Sequence, residues 1–421
     1  MINIGIIGAG TVGSSVIKIL KQNKDIIQAR AGKSLIIKTA VVKNINKKRD
    51  FEDLFITDDV DKVLNDKDID IVVELMGGVD DAFEVVKKAL KNGKAVITAN
   101  KAMLAYHRYE LQDIAGKLAF EYEAAVAGGI PIITALRDGL TANHILSIKG
   151  IMNGTTNYML DAMINDGINY KDILKKAQDL GYAEADPSFD VGGTDAAHKL
   201  LILASIAYGI DAKPEDILIE GIENIALEDI KFAKEFDYTI KLLAIANKVE
   251  NKVELRVHPV LISNKKMIAK IDGVMNGISV VGDKVGETLY YGAGAGGDAT
   301  ASAVIANIVD IARQGKASPM LGFDKPLEQN LKLVKKGDIR TKYYIRFCVA
   351  NQTGVLNSIS EILSKKGISI ETMLQNQKDK NRANLSLSIY ECCEKDINEA
   401  LDKIRELEFV DENISKIRIE V

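Results

Sequence analysis

The sequence predicts an α/β protein in three parts: an N-terminal doubly wound parallel sheet, an α/β middle domain, and a C-terminal ferredoxin-like βαββαβ unit. Three observations predict it. Short apolar runs alternate with amphipathic stretches through the first third of the chain. A glycine loop, Gly8-Ala9-Gly10-Thr11-Val12-Gly13, ends the first apolar run and opens the first helix. Residues 341–421 run strand, helix, strand, strand, helix, strand.

Taken in order, residues 2–7 (INIGII) read as a buried strand. Residues 11–22 read as a helix with Val12, Val16, Ile19 and Leu20 on one face. Strands are expected at 35–42, 70–75, 95–99 and near 118–122. A helix near 81–91 is ended by Asn92-Gly93. From about 134 the texture changes to helices near 156–166 and 170–180, a glycine-rich loop at 181–195, and an apolar helix over 194–208 closed by Gly209. Strand-like runs follow at 253–262 and 278–283, and a helix near 299–314 returns towards the first domain. The polar stretch 315–340 reads as a linker. Beyond it lie YYIRFCVA, a helix ended by Gly367, ISIETMLQ, NLSLSIYEC, a second helix over 395–407, and SKIRIEV. The boundaries so drawn are 1–134 with the returning helix near 299–314, 135–298, 315–340 and 341–421.

Composition narrows the function. With 47% hydrophobic and 27% charged residues and a net charge of -4, the chain reads as an ordinary globular protein, with no electrostatic case for a nucleic-acid or membrane partner. No run approaches the ~18 apolar residues that span a bilayer. The N-terminus lacks the basic flank and cleavage site of a signal peptide. Three cysteines, Cys348, Cys392 and Cys393, neither build a disulfide framework nor have zinc-site spacing, so a cytoplasmic location is expected. His107, His144 and His258 have no motif partners, and His198, beside Lys199, faces a different side of its helix.

In G-x-G-x-x-G between a strand and a helix, Gly8 permits the tight turn, Gly10 lets backbone approach a pyrophosphate, and Gly13 allows close helix–strand packing. The helix N-terminus offers amides and dipole to phosphate. This is the fingerprint of a Rossmann dinucleotide-binding domain. At the end of the second strand, where a carboxylate selects NAD, stand Val42-Lys43-Asn44; Lys43 favours the 2′-phosphate of NADP, with NAD possible. A solvated basic loop is the plain alternative. Ligands collect at the C-terminal ends of parallel strands. Met76-Gly77-Gly78 and Thr98-Ala99-Asn100-Lys101 occupy two such ends, and Lys101 points to the nicotinamide side.

The second concentration of chemistry is GYAEADPSFDVGGTDAAHKL, residues 181–200. Asp195 and Lys199 are four apart on a helix, so they share a face. The rest of that helix is apolar nearly all round, which speaks against a mere surface pair. An Asp beside a Lys tunes an amine for proton transfer to an alcohol or aldehyde oxygen. Glu184 in the preceding loop suits a substrate ammonium.

Together, GAGTVG (8–13), TANKA (98–102), EAAVAGGIPII (123–133), NGTTNY (153–158), GYAEADPSFDVGGTDAAHK (181–199) and GAGAGGDATA (292–301) resemble the homoserine dehydrogenase family over nearly the whole length. The resemblance implies interconversion of L-homoserine and L-aspartate 4-semialdehyde with NAD(P). It implies Lys199 as proton donor and acceptor, Lys101 beside it, and Asp195 and Glu184 on substrate. Thr11, Val12, Lys101, Gly181 and Gly296 would touch the cofactor. It also implies a monovalent cation, sodium by ligand type, on one carboxylate and several carbonyls at Glu123, Val126, Gly128 and Ile130. Which lysine carries the proton stays open. A homodimer or homotetramer is expected.

Residues 342–421 resemble an ACT domain through Asn351-Gln352-Thr353-Gly354-Val355-Leu356, Gly367-Ile368-Ser369-Ile370 and Met373-Gln375, with Asn351 where the family usually begins its turn with Asp. Threonine is the expected effector, with methionine or a purely oligomer-building role as alternatives. Deleting 341–421 is expected to remove inhibition and leave activity. The rival readings are another NAD(P)-dependent amino-acid dehydrogenase and a non-catalytic amino-acid sensor.

Overall fold

The computed structural model describes residues 1–49, 51, 54–314, 318–328 and 330–420. They form two compact units: Met1–Ile148 with His198–Pro214 and Met275–Leu331, and Lys149–Ala197 with Glu215–Val274 and Lys332–Val421.

The first unit holds a six-stranded sheet in the order Phe55–Thr57, Leu35–Val41, Ile2–Ile7, Ile71–Glu74, Ala95–Thr98, Phe120–Glu121. Every neighbouring pair is parallel. The strand order reverses beside Ile2–Ile7, and that switch point opens a ligand crevice at the strands' C-terminal ends. Ile4, Ile6, Ile71, Val73 and Ile97 pack against Val16 and Leu20 of helix Thr11–Gln22 and against Ala301, Val304, Ile308 and Ala312 of helix Gly297–Gln314. A chain segment from far down the sequence therefore completes the core of the nucleotide sheet.

Several elements here are not legible from pattern. The strand expected near 118–122 shrinks to Phe120–Glu121 and passes into a 3-10 turn, Glu123–Ala125. Helix Lys101–Ala115 is capped by Asn100, whose side chain accepts from the Met103 amide at 3.1 Å. The three-residue strand Phe55–Thr57 is too short for any periodicity to mark it.

In the second unit the sheet runs Tyr238–Val249, Lys252–Ser263, Ser415–Glu420, Arg340–Ala350, Arg382–Cys393, Ile370–Gln377. Tyr238–Val249 pairs antiparallel with Lys252–Ser263 along its whole length. It escapes a sequence reading because Ile240 to Ala246 is buried on both faces, which erases the period of two. The last four strands of the order have the expected ferredoxin-like arrangement. Helices Val355–Lys365 and Glu394–Arg405 cover one face through Ile359, Leu363, Ile397 and Leu401 on Tyr343, Ile345, Phe347 and Leu387.

This βαββαβ module is not free-standing. Strand Ser415–Glu420 pairs in parallel with Lys252–Ser263, Arg418 opposite Val260, so the two sheets are one. Helix Leu227–Glu235 lies on the module's other face, with the Phe232 and Tyr344 rings 4.2 Å apart. The stretch read as a linker is also tied down. Met320 and Leu321 are buried, Tyr122 donates its hydroxyl to the Met320 carbonyl, and Lys332–Leu333 pairs with Lys252 and Val253. Residues 315–317 and 329 of that stretch lie outside the described residues.

Candidate active site

The glycine turn is built by exclusion. Gly8 has φ +102°, and a Cβ on it would stand 2.4 Å from the Leu75 carbonyl oxygen. A Cβ on Gly13 would stand 2.3 Å from the Gly8 carbonyl oxygen. Both glycines are forced by packing within the protein. Gly10 is different: a Cβ there meets nothing within 4 Å. No contact within the protein demands its smallness, which leaves the space beside it open. Thr11 is exposed and Val12 half-buried at the start of the helix that follows.

Gly296 (φ +122°) immediately precedes helix Gly297–Gln314, and the missing Cβ of Gly297 faces Ser15 Oγ at 2.8 Å and Thr11 Cγ2 at 3.2 Å. Two helix N-termini thus converge beside the glycine turn, doubling the amide dipoles available to an anion. No spacing rule links residues 11 and 297. Lys43 lies exposed just beyond strand Leu35–Val41.

The neighbouring strand ends are cross-linked by groups that motif reading passes over. Glu74 is fully buried and accepts hydrogen bonds from the Met76 amide (2.8 Å), the Gly77 amide (3.3 Å) and Thr98 Oγ1 (2.6 Å). Burial raises its carboxyl above the usual range, and these donors pull against that rise. Asn100 Nδ2 donates to the Gly78 carbonyl at 2.6 Å. These bonds fix the left-handed Gly77-Gly78 turn (φ +76° and +82°) and seat Lys101, half-buried, at the first position of its helix. The signal that could have found Glu74 is a carboxylate ending an otherwise apolar strand.

Glu123 is buried, and its carboxylate accepts from the Ile133 amide (2.7 Å), the Thr134 amide (2.8 Å) and Thr134 Oγ1 (2.5 Å). Burial raises this carboxyl too. Its side chain therefore caps the turn Ile132–Thr134. Between these points the buried loop of Val126, Gly128 and Ile130 is bent by left-handed residues at Ala127 (φ 54°) and Gly128 (φ 48°). A non-glycine residue in that region is strained and persists only where its surroundings demand it.

In the second unit, Asp195 is 3% exposed and accepts from Asn153 Nδ2 at 2.9 Å. The same amide nitrogen donates to Asp190 at 2.7 Å, and Asn153 Oδ1 accepts from the Thr156 amide, capping helix Gly154–Asn165. Gly193 (φ +88°) sits just before helix Thr194–Tyr208, whose first turn, with Asp195, belongs to the second unit and whose remainder, from His198 on and so including Lys199, belongs to the first. Lys199 is 8% exposed. Two charged groups this deep on an apolar helix are far from the solvated pair that i, i+4 spacing usually means. Glu184 and left-handed Gly181 (φ +73°) are exposed on the preceding loop, held by Gln178 Nε2 to the Glu184 carbonyl (3.1 Å) and Thr155 Oγ1 to the Tyr182 carbonyl (2.6 Å).

Cavities of about 500 and 440 Å³ lie among residues 60–94, beside the segments that lead into strands Ile71–Glu74 and Ala95–Thr98, and another of about 470 Å³ between Phe236, Lys342 and Glu371. None is lined by an expected site residue. Among the described residues no cluster of three His, Cys, Asp or Glu is poised to hold a metal. His258 is wholly buried, with Nδ1 3.0 Å from the Pro259 carbonyl and Nε2 facing Arg256; burial and the nearby Arg418 hold it well below its usual range, hence neutral.

Known proteins match this geometry along the whole chain. Residues 8–125 match the homoserine dehydrogenase NAD-binding family model, 131–309 the homoserine dehydrogenase model, and 343–409 the ACT domain model. A homoserine dehydrogenase of Helicobacter pylori is 54% identical over 420 residues, covering 100% of this chain and 99% of the relative. The chain belongs to the homoserine dehydrogenase family. It is an NAD(P)-dependent oxidoreductase, and the amino-acid-sensor reading falls away. The crystal structure of a homoserine dehydrogenase from Thiobacillus denitrificans superposes with a TM-score of 0.93 at 44% identity, covering 100% of this chain and 98% of that one. A hyperthermophilic archaeal homoserine dehydrogenase, solved in complex with NADPH, matches with a TM-score of 0.62 at 26% identity over 77% of this chain and 99% of that one.

Proposed function

We propose that the chain interconverts L-homoserine and L-aspartate 4-semialdehyde, with NADP as the preferred dinucleotide. The observation that carries this is the buried carboxylate Asp195, fixed by Asn153 one helical turn before the buried amine Lys199. The bound dinucleotide supplies or accepts the hydride at the substrate carbon. The chain's own residues do the rest. Lys199 takes the hydroxyl proton as the alcohol becomes an aldehyde and returns it in the reverse direction. Lys101 sits beside it on the nicotinamide side. Asp195 and Glu184 bind the substrate, Glu184 through its ammonium. Gly8, Gly10, Thr11, Val12, Gly13, Gly181 and Gly296 cradle the dinucleotide, and Lys43 meets the 2′-phosphate.

The domain reading is 1–134 with the returning helix for the dinucleotide, 135–298 for substrate and dimerisation, and 341–421 for regulation. Three protein donors already occupy the Glu123 carboxylate. A sodium ion would therefore take main-chain oxygens of Glu123, Val126, Gly128 and Ile130, donors suited to a hard, weakly held cation. Threonine is the effector at the ACT turn, where left-handed Gly354 (φ 91°) opens helix Val355–Lys365 without a side-chain cap. The chain works as a homodimer or homotetramer in the cytoplasm; its three cysteines are unpaired and no described helix is long and apolar enough to cross a membrane.

The test is nicotinamide absorbance with homoserine and each dinucleotide, with sodium or a bulky organic cation as the salt. Turnover with homoserine, favouring NADP and stimulated by sodium, is expected. No turnover with homoserine overturns the assignment.

A further inference from the structure

Asp195 is connected to the far end of the chain by an unbroken series of contacts inside the second unit. Asn153 joins Asp195 to Asp190. The next residue, Val191, accepts the Ile222 amide at its carbonyl (3.0 Å). The missing Cβ of Gly193 faces Val257 Cγ1 at 3.2 Å, Ile219 Cγ2 at 3.3 Å and the Glu220 carbonyl at 3.5 Å. The start of the Asp195 helix thus leans on segment 218–222.

That segment is held by Ile222, which is fully buried, by the Ile222 bond to Val191, and by little regular pairing. Its strand is two residues long, Leu218–Ile219 beside Arg256–Val257, followed by one bond from the Glu220 amide to the Val257 carbonyl (2.8 Å). Its one charged side chain, Glu220, is gripped by a side chain from the last strand. Arg418 donates through Nη1 and Nη2 to the two oxygens of Glu220 at 2.7 and 2.8 Å, and through Nε and Nη2 to Glu394 at 3.0 and 2.7 Å. Arg418 is 0% exposed. A guanidinium this deep is costly to bury, and a planar fork between two carboxylates repays that cost mainly in fixed geometry. Arg418 is itself held in register by main-chain pairing opposite Val260.

We propose that Arg418, acting through Glu220, is a positioning residue for the Asp195 end of the substrate site, so that the C-terminal module is a structural part of that site. The module's last strand fixes Glu220, Glu220 fixes segment 218–222, and that segment sets where Gly193 starts the helix bearing Asp195. This rests on Asp195 binding substrate as proposed above.

Full-length Glu220→Gln and Arg418→Lys are the test; the first removes the charge from a partly exposed partner, and the second keeps charge but loses the fork. Steady-state kinetics with homoserine, the NADPH dissociation constant and thermal unfolding are measured, with Glu371→Gln, an ion-pair partner of Lys342 in the same module, as control. Both variants are expected to raise the homoserine KM roughly 2- to 30-fold, the range for contacts that couple distant sites. The NADPH dissociation constant and the control should stay at wild-type values. A folded Glu220→Gln with unchanged KM overturns the proposal, as does an equal loss of homoserine and NADPH binding. If Glu220→Gln does not fold, Arg418→Lys decides; if neither folds, the pair serves stability alone and the proposal falls. A wild-type chain inactive on homoserine would instead overturn the functional assignment.

Discussion

Asp229 and Arg346 meet as a two-pronged ion pair across helix Leu227–Glu235 and the ACT sheet, Nε to Oδ1 at 2.7 Å and Nη2 to Oδ2 at 3.2 Å. Asp229 is 0% exposed and also accepts the Tyr344 hydroxyl at 3.0 Å. Arg256 and Lys149 likewise lean on Glu420 from the final strand. Deleting 341–421 removes every one of these partners and opens the edge of Lys252–Ser263. Orphaning a buried charge costs about 3–5 kcal/mol, against a total stability of roughly 5–15 kcal/mol. The truncated chain is therefore expected to be insoluble or inactive, contrary to the clean release of inhibition expected from sequence. Soluble expression and turnover of the truncated chain check this. Regulation has to be probed in the full chain. Threonine should inhibit it, and Asn351→Ala should weaken that inhibition while leaving uninhibited turnover intact; equal inhibition of both proteins would place the effector elsewhere.

The three loop glycines should separate by their surroundings. Gly8→Ala and Gly13→Ala drive a Cβ into backbone oxygens and should lower the melting temperature or prevent folding. Gly10→Ala has open space and should melt like the wild type, yet bind NADPH at least about tenfold more weakly because its methyl meets the pyrophosphate. Calorimetry and NADPH titration distinguish these outcomes. Wild-type NADPH affinity in Gly10→Ala would mean the pyrophosphate lies elsewhere.

Lys199→Ala and Lys101→Ala should each cut turnover by at least about 10²-fold, the scale of lost acid–base assistance. NADPH binding should survive Lys199→Ala. Near-normal turnover in both variants would remove them from the chemistry.

Lys43→Asp places a carboxylate where the 2′-phosphate is expected. NADP affinity should fall much more than NAD affinity, read as separate KM values. Equal losses would show that Lys43 does not face the ribose.

Acid should act on the second unit through Glu394. Burial alone would raise its carboxyl, but Arg418 and Lys416 outweigh burial and hold it at about 2. A depressed carboxylate stabilises the fold fully above its unfolded value, roughly 4.3, and that stabilisation drains away as pH falls towards about 2. Unfolding monitored from pH 5 to pH 2 should show a steep loss of stability, and Glu394→Gln, less stable at neutral pH, should lose less over that window. Parallel acid limbs for the two proteins would exclude Glu394 as a source.

The sequence by itself determined the nucleotide sheet, its glycine turn, the Asp195 and Lys199 helix and the βαββαβ order, because each is local. A turn that needs positive φ, a period of 3.6, or two groups four residues apart leaves its mark within a few positions. The tertiary structure decided what those elements are fastened to. That Gly10 faces open space while Gly8 and Gly13 do not depends on Leu75 and on the course of the turn itself. Thr11 meeting Gly297, Glu74 bridging to Thr98, and Arg418 gripping Glu220 join segments with no sequence relation. Strand Tyr238–Val249 and the fusion of two sheets through Ser415–Glu420 stayed hidden for the same reason. A strand buried on both faces loses its alternation, and pairing between distant strands is set by which edges remain to be satisfied once the chain has packed.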